Sequence, residues 1–432
     1  MHDFRIHPTR HRPMTAVNDF LHEHSSLTRR YFLRCGAAGV VALGALPLSA
    51  EQKERDPKLQ TKIDGLQSWL TRLDDFRNVS RGNPKPDTFD EAKRKELALT
   101  RETWSLEVIP DPEKPARIGK PLTKKEGTAF DFKTLMQLAE KHAVRFPKVM
   151  TCLNLGKPLG MGIWEGVPLR EVIWLTQPRD NLRRVFFDGY HNDDPKQLFR
   201  SSLSINRVLE DLNGLPPVIL CYRLNGQWLT PQRGAPVRMV VPESYGFKNI
   251  KWLTHLFLSN RPNTNDTYQD ANNDVHSPLK TFCGTLSVPK TVKPDQPIPV
   301  TGYAQVGIAG LKKVQVWIHN DKDKLPADDK HFTQAPWRDA EILPPPKNWG
   351  GDLPDNQIPP DTHDFNESGQ PRFWPIRLAK AHWAALLPGL PPGEYTLRCR
   401  TIDENDHAQP MPRPFRKSGR AKIEQTSIVV KS

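Results

Sequence analysis

Residues 218–258 read VILCYRLNGQWLTPQRGAPVRMVVPESYGFKNIKWLTHLFL. An apolar run from Val218 to Tyr222 enters a turn at Asn225-Gly226, a strong short-range hairpin signal. The chain passes Pro231, Gly234 and Pro236 and returns as Val237-Arg238-Met239-Val240-Val241. A second turn carries Tyr245-Gly246, and Lys248, Lys251 and Trp252 follow before another apolar run. Arg238 stands among Val and Met in a strand pattern, so it needs a partner, because an unpaired buried cation is costly. An internal carboxylate would satisfy it. So would an anionic ligand, and two further cations in the next turn favour that reading. Trp252 reads as core.

The chain has 432 residues, room for two or three domains. Its 42 prolines are near twice the usual share of about 5%. Many prolines with few long helical patterns predict a loop-rich α+β or β-rich protein. The formal net charge is +13. Basic pairs such as Lys124-Lys125 and Lys312-Lys313 are scattered and lack interleaved aromatics, which argues against a nucleic-acid groove. The positive balance suits an anionic cofactor or substrate.

Near the N-terminus, Ser26-Leu27-Thr28-Arg29-Arg30-Tyr31-Phe32-Leu33 precedes a small, apolar run from Cys35 to Leu46. This predicts a twin-arginine export signal over residues 1–50, cleaved after Ala50, with Met14 an alternative start. The run is too short for a stable membrane anchor. Export of a folded protein suits a complex, preinserted cofactor and predicts a periplasmic location. Beyond Cys35 there are four cysteines, Cys152, Cys221, Cys283 and Cys399, with no CxxC or zinc spacing. Cys221 and Cys399 lie in apolar strand patterns and are expected to be packed thiols. The pairing of Cys283 stays open.

The predicted elements are a helical stretch from Ile63 to Phe76, a strand at Trp104–Ile109, a helix at Phe132–His142, a strand leading into Cys152, and a helix at Leu169–Leu175. Residues 261–276 are almost devoid of apolar side chains and read as a linker between a domain at 51–275 and one at 276–432. After Ser277 short alternating strands dominate (Ile298–Tyr303, Val314–Ile318, Tyr395–Ile402, Ala421–Val430), the pattern of a β-sandwich. Residues 343–373, rich in Pro, Gly, Asp and Asn, read as a surface loop.

The Tyr222-x-x-Asn225-Gly226 turn, the Pro236-Val237-Arg238 strand, the Tyr245-Gly246 turn and the Lys251-Trp252 pair resemble the molybdopterin-binding domain of the sulfite oxidase family. The run Gly162-Ile163-Trp164-Glu165-Gly166-Val167-Pro168-Leu169-Arg170 after Cys152 is similar to it as well. Gly302-Tyr303-Ala304, Leu311 to Val316, Trp337-Arg338-Asp339-Ala340, Phe373-Trp374, Arg400 to Asp403 and Gln409-Pro410 resemble the family's C-terminal immunoglobulin-like dimerisation domain. The resemblance covers about Trp104 to Val430. It implies an α+β molybdopterin-binding domain followed by an immunoglobulin-like sandwich, a homodimer, and a molybdenum–molybdopterin cofactor. Cys152 would supply the metal's protein thiolate, as suits a soft ligand on an accessible loop. Arg238 and Lys251 would contact the pterin, with Lys248 beside them. Arg77, Asn78, Arg81 and Asn83 are candidates for the family's N-terminal cofactor loop.

Two departures bear on the substrate. The family's Ala-Gly-Asn-Arg-Arg after the cysteine is replaced by Leu153-Asn154-Leu155-Gly156-Lys157-Pro158. Lys157 could supply a charge there but not a planar fork. The family's tyrosine position holds Phe199, leaving Tyr245 or Tyr190 to provide a hydroxyl. The resemblance implies a small anionic or sulfur-oxo substrate. With no haem-attachment motif in the chain, it also implies a separate cytochrome or quinone-linked electron partner. Three readings stand: a sulfite-oxidising enzyme, a reductase of sulfoxides or other oxo-substrates, and a cofactor-free binding protein on the same fold.

Overall fold

The computed structural model describes residues 55–432 apart from 156, 213, 265, 268, 270–272, 277, 411–414, 420 and 421. The expected export signal, its cleavage point after Ala50 and the start at Met14 lie outside the described residues. No helix among the described residues is long and apolar enough to cross a membrane.

Five short helices, α1 (Pro57–Asp64), α2 (Glu91–Glu96), α3 (Phe132–His142), α4 (Leu169–Leu175) and α5 (Ile205–Leu209), accompany a chain that is mostly strand. The first sheet runs in the order β2 (Phe130–Asp131), β1 (Ser105–Pro110), β10 (Leu253–Ser259), β5 (Arg184–Gly189), β6 (Ser201–Ser204). The second runs β3 (Val144–Thr151), β4 (Pro158–Pro168), β7 (Ile219–Leu224), β8 (Gln227–Trp228), with β9 (Arg238–Val240) also paired to β7.

Strand alternation explains how these sheets share side chains. Leu220, Tyr222 and Met239 face Leu106, Val108, Val185, Phe187 and Leu256 in one core. Ile219, Cys221 and Val240 point the other way and pack with Phe76, Phe146, Met150 and Trp164. Arg238 lies one residue from both Met239 and Val237, so alternation sends it to this second face. The Asn225-Gly226 turn forms as read: φ is +53° and +75° at the two positions, the geometry of a two-residue hairpin turn.

The second half carries eight strands in the order β11 (Phe282–Ser287), β13 (Ile298–Gln305), β16 (Lys380–Leu387), β15 (Arg338–Ile342), β14 (Lys313–Asn320), β17 (Gly393–Ile402), β18 (Glu424–Val430), β12 (Thr291–Val292). β15 pairs with β14 through Arg338–Ala340 and with β16 through Glu341 and Ile342, so this one strand joins the two halves of the sheet. Cys283, Val300, Val316, Trp383, Leu397 and Cys399 pack inside it. All four described cysteines are free, with Cys221, Cys283 and Cys399 buried.

Three expectations are corrected. The helix expected over Ile63–Phe76 stops at Asp64, where Gly65 closes α1. The following residues are drawn out by tertiary hydrogen bonds: Leu70 N to Trp349 O at 2.8 Å, Thr71 N to Met161 O at 2.8 Å, and Arg77 N to Leu159 O at 2.9 Å. The apolar residues that suggested a helical face, Trp69, Leu70, Leu73 and Phe76, are buried along an extended strap instead. Residues 261–276 are not an exposed linker, since Thr264, Asp266, Asn273 and Asp274 are buried. Residues 343–373 are not a free surface loop either. Trp349, Leu353, Ile358 and Phe365 join Trp69, Val149, Met161 and Tyr245 in a core shared by both halves.

Candidate cofactor and substrate cavity

A cavity of about 540 Å³ opens on the second face of the β3–β4–β7 sheet. Its walls come from the strap after α1, the turn following β3, the segment after β5, and the two loops that bracket β9. Cys152 lies one residue past the end of β3, half-buried, with its thiol free and in the cavity wall. Gly246 packs beside it: a Cβ there would lie 3.8 Å from the Cys152 Cα.

Three cations from one stretch of chain form the deepest wall. Arg238 is buried, donating to the carbonyls of Arg233 (2.9 Å) and Asn249 (2.7 Å). Its guanidinium lies 5.2 Å from the Trp164 ring centroid. Burial pushes it down to about 10. Arg233, on a single 3₁₀ turn before Gly234, is buried beside it. Lys251 Nζ donates to Asn78 Oδ1 (2.8 Å) and Ser80 Oγ (3.0 Å). Burial, then the Arg238 and Arg233 charges, hold its ammonium down at about 6. The Nε atoms of Arg233 and Arg238 are both buried without a hydrogen-bond partner. Buried polar groups are rarely left unpaired. Clustered cations lining a cavity, two of them with an orphaned donor, fit a polyanionic ligand, and this is the chemistry a phosphate-bearing pterin offers. A thiol in the lining of the same cavity adds a soft metal ligand.

The residues named from sequence fall into two groups. Cys152, Arg77, Arg81, Arg238 and Lys251 all line the cavity. Arg77 and Arg81 are exposed at its rim, with Arg81 stacked 4.6 Å above the Phe199 ring. Trp252 also lines it, although it is buried and its Nε1 donates to Pro231 O at 3.0 Å.

The others stand behind the wall or away from it. Asn78 bridges Lys251 to Asp87, to which it donates at 2.8 Å. Asn83 exchanges hydrogen bonds with Gln197, its N–H donating at 2.7 Å. Lys248 is buried and donates to Ser202 O at 2.6 Å. Burial lowers it to about 8, and Asp266 is its nearest compensating charge. It therefore ties the turn after Tyr245 to β6. Lys157 is exposed and outside the lining, because the turn that aims Cys152 inward leaves this residue pointing out before β4. Tyr245 is fully buried and absent from the lining, with its hydroxyl accepting from Lys280 N at 3.3 Å. Tyr190 does line the cavity.

Sequence reasoning passed over Arg233, His191, Asn273 and Lys417, all in the lining. Arg233 carried a usable signal, since it precedes a Gly-x-Pro turn two residues from a strand already suspected of binding an anion. Asn273 and Lys417 carried none, lying in polar stretches with no periodicity. Lys148 was also missed. It is fully buried on β3, donates to Pro242 O (2.7 Å) and Ser244 O (2.8 Å), and is lowered by burial to about 7. It pins the turn that carries Gly246 against the strand that carries Cys152.

Residues 98–267 match the family described as oxidoreductase molybdopterin binding domain. Among curated relatives, a mitochondrial sulfite oxidase from Drosophila melanogaster is 26% identical over 213 residues, 41% of this chain and 36% of that protein. The protein-methionine-sulfoxide reductase catalytic subunit MsrP of Xanthomonas campestris is 28% identical over 211 residues, 45% of this chain and 57% of that protein. An NADPH nitrate reductase from Beauveria bassiana is 27% identical over 107 residues, and the matched part spans only 12% of it. The chain thus spans less than two thirds of each of these relatives. The sulfane dehydrogenase SoxCD of Paracoccus pantotrophus shares the fold over 90% of this chain and 96% of its own, with a TM-score of 0.54 at 15% identity.

Proposed function

We propose, from the premise that residues 98–267 form a molybdopterin-binding oxidoreductase domain of the sulfite oxidase family, that the protein is an exported enzyme oxidising sulfite or a related sulfur oxo-compound. The observation that carries the reading is the cavity itself, which a free thiol at Cys152 and the buried guanidiniums of Arg233 and Arg238, each with an orphaned Nε, all line. The overall change would be SO₃²⁻ + H₂O → SO₄²⁻ + 2H⁺ + 2e⁻, with the electrons passing one at a time to a separate protein partner. Molybdenum–molybdopterin, when bound, supplies the oxygen-atom and two-electron chemistry.

The chain's own work is to hold and orient that group. Cys152 would give its thiolate to the metal. Arg233, Arg238 and Lys251 would neutralise the anionic end of the pterin, and Arg77 and Arg81 would close the rim. Trp164, Trp252 and Phe247 line the cavity and exclude water. Export by the twin-arginine route, an immunoglobulin-like reading of the second half and pairing of two copies through it belong to the same proposal.

Reduction of a sulfoxide is the second reading, favoured by the absence of arginines after Cys152 and by the likeness to MsrP. Elemental analysis of protein from a host that makes the cofactor tests both. The expected result is about one molybdenum per chain, with extractable pterin. Cys152→Ser should fold, as judged by an unchanged melting profile of the cofactor-free protein, and lose turnover. Persistent turnover in that variant would sink the ligand role, and metal-free wild-type protein would leave a binding protein on an enzyme's fold.

A further inference from the structure

The cavity has a second polar wall, separate from the Arg233–Arg238–Lys251 wall. It is built by the stretch expected to be a linker and by a segment from the second half. Asn273 is 7% exposed, lines the cavity, and has a side-chain oxygen that is buried without a partner. Lys417 lines the same cavity and is exposed. No carboxylate is paired with its ammonium among the described residues.

The two are held in register by their neighbours. Asp274 N donates to Lys417 O at 2.8 Å, Ser418 Oγ donates to Asp274 Oδ2 at 2.8 Å, and Lys280 Nζ donates to Ser418 Oγ at 3.3 Å. A Cβ on Gly419 would run into the Tyr245 hydroxyl, and the next residue, Gly246, packs on Cys152.

An orphaned amide is a built feature, because an unpaired buried polar atom costs about 1–3 kcal/mol. Rotation of the amide presents either its oxygen or its NH₂ to the cavity. With an ammonium in the same lining, the NH₂ face offers a second donor to an oxygen atom bonded to sulfur.

We propose that Asn273 and Lys417 form the substrate subsite, binding the S–O oxygens of an anionic sulfur compound in place of the arginines absent after Cys152. This rests on the cofactor reading above and names its substrate class. The second half of the chain then completes the site, and the specificity of the cavity depends on both halves.

The test uses molybdenum-loaded full-length protein, with sulfite as substrate and sulfate as inhibitor. Lys417→Glu and Asn273→Asp should keep wild-type molybdenum content. They should raise KM for sulfite about tenfold or more and weaken sulfate inhibition in parallel. Lys417→Arg should restore both. Lys417 is exposed, so its variants carry the test even where Asn273→Asp fails to fold. Loaded variants with unaltered KM and unaltered sulfate inhibition would overturn the subsite. So would loaded wild-type enzyme that neither turns over sulfite nor is slowed by sulfite or sulfate. Wild-type protein that takes up no molybdenum overturns the cofactor reading instead, and the subsite falls with it.

Discussion

Lys251 shows how one side chain reports on the cavity. Burial and two neighbouring guanidiniums bring it from its ordinary 10.5 to about 6. In the unfolded chain it regains the ordinary value. Between about pH 6 and pH 10 the unfolded state therefore binds the extra proton, and stability from this group rises with pH. Below about 6 both states are protonated and the contribution is flat at its least favourable level. Melting of cofactor-free protein across that range should show this slope, and Lys251→Met should reduce it. An equal slope in the variant would mean that the lysine is not held in its depressed state. Lys148 and Lys248, lowered by burial to about 7 and about 8, add slopes of the same sign over narrower windows. Arg238 was legible from sequence because a cation inside an apolar alternation demands a partner. Lys157 and Tyr245 were plausible by spacing alone, and their distance from the lining was decided by which way a turn points.

At the scale of elements, the strap after α1 closes one side of the cavity. Phe76 lies directly over Gly160 and Gly162 of β4, and a side chain at 160 would collide with its ring. Gly160→Ala should therefore lift the strap, at a cost of about 1–3 kcal/mol in urea unfolding. Cleavage by added protease near residues 77–84 should speed up. Phe76→Ala in the same chain should relieve the strain, and full additivity of the two losses would refute the contact as its cause. The helices Phe132–His142 and Leu169–Leu175 were readable because their apolar spacing and their tertiary packing agree. The strap was misread because Trp69, Leu70, Leu73 and Phe76 fit a helical spacing by accident. Backbone hydrogen bonds to Trp349, Met161 and Leu159 outweigh local helix propensity there.

Over the whole molecule, Trp69 is the joint. It is 1% exposed, donates its Nε1 to Lys380 O at 2.5 Å, and packs edge-on against Trp349 at 5.1 Å. Trp69→Ala should cost about 3–5 kcal/mol, as large aromatic truncations in cores do. Because both halves share this core, calorimetry should show a single transition moving down rather than one half melting early. Two resolved transitions would show the halves to be independent. The sequence by itself determined the strands around residues 218–258, the turn at Asn225-Gly226, and the resemblance that singled out Cys152, Arg238 and Lys251. These features depend on local alternation, turn chemistry and closely spaced motifs. Only the tertiary structure decided that Trp349, Leu353, Ile358 and Phe365 pack into a core with Trp69 and Tyr245, and that Asn273 and Lys417 line the same cavity as Cys152. Those positions are set by packing between segments distant in the chain, where no periodicity along the sequence records which surfaces will meet.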